Sequence, residues 1–135
     1  MTLKRYLLAL LLFVSLTASA KYEPKTIYVY GFAASFNDST IYFTGIQKLD
    51  SAYIDSKTKF LYSRENYSYQ LRDYLDAHGM KHATCITSFA FTQKDAEKKY
   101  FKLRKKYLKG AQFDIKMLDI SDFKFDAIPV PKEGE

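Results

Sequence analysis

Tryptophan is absent from this chain, cysteine occurs once and histidine only twice. The lone Cys85 excludes an internal disulfide, so the core must hold the fold without covalent help. In a run of strand-forming residues it reads as a small buried hydrophobe rather than a reactive thiol. His78 and His82 stand four apart, a spacing that pairs two imidazoles only on an unbroken helix; Gly79 interrupts it, and no third zinc ligand is near. The five glycines form no phosphate-cradling loop, and the chain has neither a Gly-x-Ser-x-Gly turn nor a metalloprotease helix. These residues define no catalytic site or metal site and require no cofactor. Proline is confined to Pro24, Pro129 and Pro131, which leaves the interior free to form regular elements.

Long apolar runs are also lacking, apart from Tyr6 to Leu16, which is short of the about 20 residues needed to cross a bilayer. Lys4 and Arg5 precede that run and Ala18-Ser19-Ala20 follows it, the pattern of a secretory signal peptide over residues 1–20. Export to the periplasm or beyond the cell is expected, with no transmembrane segment after cleavage. No cysteine stands at the cleavage point to carry a lipid. Residues 21–128 then read as one domain and 129–135 as a flexible tail. Without Lys4 and Arg5, 19 of the 21 basic residues remain against 15 acidic ones. Tyrosine and phenylalanine, 12 and 11 in the whole chain, must supply much of the core volume.

Thr26 to Phe36 is rich in β-branched and aromatic residues and reads as a long strand, with a turn at Asn37-Asp38 and a returning strand over Thr40 to Ile46. Ile27, Val29 and Gly31 share one face and Tyr28, Tyr30 and Phe32 the other, so neither face is polar. Residues 47–63 could hold short strands or irregular loop. A helix is predicted from about Asn66 to His78, capped by Ser63 or Asn66 and stopped by Gly79, with Tyr69 pointing outward. Then follow a strand from Thr84 to Phe91, a helix opened by Thr92 with Asp95 three residues on and closed at Gly110, and a strand around Phe113 to Met117. This is a β-α-β unit, the clearest structural signal in the chain.

Two surfaces carry candidate binding residues. On the second helix Ala96, Tyr100, Leu103 and Tyr107 form the core stripe, while Lys98, Lys99, Lys102, Lys105, Lys106 and Lys109 share the opposite side. Such a side is either a solvated helix back or a patch for an anionic partner; Lys98, Lys102, Lys105 and Lys109 are its candidate contacts. Phe101 and Leu108 lie outside the stripe, and the segment with Phe123 and Phe125 is expected to cover them. The second surface is the aromatic ladder Tyr28, Tyr30, Phe32, Tyr42 and Phe43, either core or a platform for sugar or peptide, with Tyr28, Tyr30 and Tyr42 as its contacts.

The stretches YVYGFAASFNDS (Tyr28 to Ser39), NYSYQLRDYL (Asn66 to Leu75) and DAEKKY (Asp95 to Tyr100) resemble those of small exported bacterial proteins of unknown function. The strand-Ser-Phe-helix-strand pattern from Ile86 to Leu118 is loosely similar to one half of a SPOR domain, a peptidoglycan-binding module of two β-α-β halves. Only one strand separates the two helices here, where that fold has two.

The expected fold is a single α+β domain: two helices on one face of a four- or five-stranded mixed sheet, the strand at Thr84 central and the strand at Phe113 parallel to it. The expected function is a non-enzymatic exported module that binds an anionic envelope component or an acidic protein surface. Nucleic acid is not an expected partner, since no recognition fingerprint is present. The alternative is a small hydrolase or thiol-dependent enzyme using Cys85 or His82.

Overall fold

The β-branched and aromatic run near the start of the domain builds the longest strand, β1 (Tyr22–Ser35), and every other strand is placed by it directly or through one neighbour. The computed structural model describes residues 21–36, 38–109 and 112–131. The expected signal peptide, Asn37 of the expected turn, the expected stop at Gly110 and residues 132–135 of the expected tail lie outside the described residues.

After β1 come β2 (Asp38–Thr44), β3 (Gln47–Asp55), α1 (Arg64–Ala77), β4 (Thr84–Ala90), α2 (Gln93–Leu108) and β5 (Asp114–Leu118). This is a single α+β domain with two helices, a five-stranded mixed sheet and a β-α-β unit. Strands β2 and β3 lie end to end along one edge of β1, both antiparallel to it: Phe32 opposes Phe43, and further along Val29 opposes Gln47. One extra residue is taken up between Phe43 and Gln47 and another between Leu49 and Ala52, where Ser51 adopts a φ of 61°. Such bulges bend and twist the outer strand. Strand β4 takes the other edge of β1, from Tyr28 opposite Ala90 to Ala34 opposite Thr84, and β5 pairs in parallel with the outside of β2.

The strand beginning at Thr84 is therefore an edge strand, not the central one. β1 holds the centre because it is long enough to pair with β2 and β3 on one side and β4 on the other. Strand β5 does run in the same direction as β4, but β1 and β2 stand between them.

The two helices do not share a face either. Ile27, Val29 and Ala33 of β1 pack with Tyr67, Leu71 and Leu75 of α1, whereas Tyr30 and Phe32 pack with Ile41, Phe43 and Tyr100 of α2. Alternation along β1 makes this necessary: with apolar residues at successive positions, both faces need cover. Gly31 lets the α1 side close, since a Cβ there would stand 2.7 Å from Leu71 Cδ2 and 3.0 Å from Phe125 Cζ. Each fully buried Leu, Ile or Phe contributes about 1.5–3 kcal/mol.

The α1 face is completed by the segment after β5. Phe123 and Phe125 are buried there with Tyr67 and Tyr74, and not over Phe101 and Leu108, which stay exposed. Side chains rather than a strand satisfy this segment's backbone. Gln47 donates from Nε2 to Phe123 O (2.9 Å) and accepts from Phe125 N at Oε1 (2.8 Å). Gln70 donates to Asp126 O and accepts from Asp126 N, both at 2.9 Å, and Tyr67 Oη accepts from Ile128 N at 2.9 Å.

Local rules account for the start of α2 and the end of α1. Thr92 is extended and its Oγ1 accepts from Asp95 N at 3.2 Å, a side-chain N-cap. Ser63 precedes α1 with a left-handed φ of 56° and makes no side-chain cap bond. Gly79, with φ +89°, takes the conformation that ends α1. Within 47–63 the strand reading holds for β3, while Leu61 makes only an isolated bridge to Ile54.

Candidate functional site

On the α2 side the helix covers β1 and β2 but leaves β4 partly open. Alternation puts Ile86 and Ser88 of β4 on this face, opposite Phe32 and Tyr30. Ile86 is 53% exposed in mid-strand, which is unusual for an isoleucine between aromatic neighbours. The result is a trough of about 580 Å³ between β4 and α2. Tyr30, Phe32 and Ile86 form its floor, Leu103 and Tyr107 its helix wall, and Arg64, Lys99, Lys102 and Lys106 its rim. None of these four cations forms an ion pair with a described residue.

Two of the four are fixed by the free edge of β4. Arg64 Nε donates to Thr87 O at 2.8 Å and Lys99 Nζ donates to Phe89 O at 3.0 Å. Capping the carbonyls of an edge strand with charged side chains blocks strand addition. It also places two positive groups at the same end of the trough.

Beyond Phe32, Ile86 and Tyr107 the trough runs on into a second hollow of about 420 Å³ lined by Ala34, Phe36, Ile41 and Phe113. This end is mostly apolar, and Asp38 is the one charged residue among its described lining. The N–H of Thr40 donates to the Asp38 carboxylate at 3.0 Å and, with the Thr40 side chain, holds its pKa below the ordinary value. Asp38 is therefore an anion at neutral pH.

The lysine side foreseen in the sequence is exposed along its length but divides by position. Lys102 stands on the trough rim; Lys98 borders a separate hollow with Phe60 and Phe91; Lys105 lies beside Phe101 and Leu108; Lys109 is exposed at the C-terminal end of the helix. The aromatic ladder is split as well. Tyr30 is 3% exposed, edge-on to Tyr100 at 5.2 Å, and Phe43 is fully buried, so the helix covers this part. Tyr42 packs against the α1-side core, on the other face, and Tyr28 is half-buried. Tyr28, Tyr30 and Tyr42 thus do not form one open platform. Sequence reasoning missed Ile86 and Arg64 as parts of the site, since nothing in a strand pattern tells which apolar residue stays uncovered.

Cys85 is half-buried on the α1 side, and burial pushes its thiol up to about 11. Nearby Arg72 lowers it and Asp76 raises it, both less than burial does. His78 stacks on Tyr74 with ring centroids 4.1 Å apart, its Nδ1 2.7 Å from Tyr74 O, and His82 is exposed with a φ of 64°. Among the described residues no group of three or more His, Cys, Asp or Glu gathers as a metal site, and no helix is long and apolar enough to cross a membrane.

No protein-family model, no curated protein and no solved structure matches the chain.

Proposed function

We propose that the protein is a non-enzymatic exported binding module that takes an anionic envelope component through the lysine side of α2 and the trough beside it. The observation that supports this is the gathering of Arg64, Lys99, Lys102 and Lys106, none paired with a described acidic residue, around an apolar floor. Uncompensated positive charge beside low-dielectric surface attracts anions more strongly than the same charge spread over open water. The thiol-dependent alternative has less behind it. A thiol pushed up to about 11 is almost wholly protonated at neutral pH, and the protonated form is a poor nucleophile.

Binding to phosphatidylglycerol vesicles and to isolated peptidoglycan sacculi, with phosphatidylcholine vesicles as the neutral control, tests the reading. Affinity for one of the anionic materials should fall with added salt, and by roughly tenfold or more when Lys98, Lys102 and Lys105 are changed together to Glu. Binding that ignores both salt and charge reversal would sink it. So would tight binding to an acidic protein with none to either envelope material.

A further inference from the structure

The two ends of the trough differ in a way that specifies its ligand, and this inference rests on the binding reading above. Arg64, Lys99, Lys102 and Lys106, with no acidic residue among the described ones, line the hollow that holds Ser88, Lys106 standing nearest the second hollow beside Tyr107. At the other end, past Ile86, the lining is Phe32, Ala34, Ile41, Tyr107 and Phe113 with the small polar Ser35 and Thr84, and among the described lining residues only Asp38 is charged. Phe36, at the adjoining hairpin tip, is fully exposed. A polyanion lying along the whole trough would meet apolar surface and a carboxylate over half its length. A neutral apolar molecule would leave four cations without a counter-charge. A ligand with one anionic end and one apolar chain matches both halves.

We infer that the trough binds a single-chain anionic amphiphile as a monomer, such as a fatty acid or a monoacyl phosphate. Its head lies among Arg64, Lys99, Lys102 and Lys106, and its chain runs over Ile86 toward Phe113. Three features set this orientation. Arg64 and Lys99 are already fixed at the head end by their bonds to the β4 carbonyls, so little ordering is needed to receive a carboxylate or phosphate. Asp38 disfavours a second anion at the far end, its charge offset in part by Lys116. The chain's path is provided by residues that are exposed without a ligand, with Ile86 at 53% and Phe113 at 41%. From Ser88 to Thr84 the floor runs four residues, about 13 Å, a length shared by the head and the first part of the chain.

The probes are dodecanoate and dodecyl phosphate below their micellar concentrations, measured by calorimetry on the full mature chain. Dodecyltrimethylammonium supplies the same tail with the opposite charge, and butyrate and inorganic phosphate supply the charge with almost no tail. The two anionic amphiphiles should bind at least tenfold more tightly than any of these controls. Lys102→Glu with Lys106→Glu should weaken dodecanoate tenfold or more by removing the head site. Ile86→Asp should do the same by charging the chain path. All three positions are solvent-accessible, and an unchanged melting temperature would show that the fold is intact; Ile86→Ser serves as a second variant if the aspartate disturbs β4. Equal binding of the cationic amphiphile, or full affinity in Ile86→Asp and Ile86→Ser, would overturn the inference. Salt-sensitive binding to vesicles or sacculi with none to monomeric dodecanoate would overturn it too while leaving the proposed function standing. Loss of every interaction would remove both.

Discussion

The two faces of the sheet are covered by helices of similar length, yet one is sealed and the other is not. On the α1 side three helix residues, Tyr67, Leu71 and Leu75, are buried, and a second layer containing Phe123 and Phe125 closes over the remainder. On the α2 side only Ala96 and Tyr100 are fully buried, Leu103 and Tyr107 are half-exposed, and no second layer is present among the described residues. What separates the faces is the chain that follows β5, which turns to α1 and leaves β4 open beside α2. Openness here results from the path of a distant segment rather than from the composition of the strand it exposes.

That contrast can be broken most forcefully at Phe125. It is fully buried against Gly31, Tyr67 and Phe123, so Phe125→Ala should cost about 3–5 kcal/mol, read as a lower urea midpoint. A loss under 1 kcal/mol would mean that the α1 face is no better sealed than the other. Gln47→Ala comes next. It leaves the buried Phe123 carbonyl and Phe125 N–H without partners, and each such orphan costs about 1–3 kcal/mol. Amides at Phe125 and Asp126 should then exchange faster while those of β1 keep their order. Unchanged exchange at both would show that the clamp holds nothing.

A smaller effect follows pH. Burial raises the pKa of Cys85 and Tyr67 on the α1 side and of Tyr100 under α2, so all three hold their protons more tightly folded than unfolded. The stability they contribute is complete below the unfolded values and is lost as pH rises through the folded ones, beginning near pH 9 for Cys85. The urea midpoint should fall between pH 8 and 10.5, and Cys85→Ala should flatten the first part of that fall and leave the tyrosine part. A midpoint that stays level would contradict the assigned directions.

Much of the fold was legible in residue patterns. Thr92 with Asp95, Gly79, and the stripe Ala96, Tyr100, Leu103, Tyr107 act locally, through bonds and spacings within a few residues, and the helices and strands they imply are present. Layering and strand order were less accessible because they depend on pairings far apart in the chain. Residues at successive positions of β1 are apolar, a pattern that says two faces need cover but not which helix covers which. The candidate site was harder still. Six lysines on one side of a helix can be counted from a wheel, but Ile86 becomes part of a site only because Phe123 and Phe125 lie elsewhere, and Arg64 only because β4 ends the sheet.

The glutamine clamps impose an order in time. Gln47 meets partners 76 and 78 residues further along the chain, and Gln70 meets Asp126 56 residues on. Contacts of that separation form late, after the closures that bring their ends together. On a ribosome the side of Gly31 and Tyr67 that Phe125 covers therefore stays open until the closing segment has emerged, however soon the helix and the hairpin have formed. A nascent chain halted after β5 would carry two incomplete faces where the finished protein carries one, and its period of greatest stickiness would end only with the arrival of Phe125.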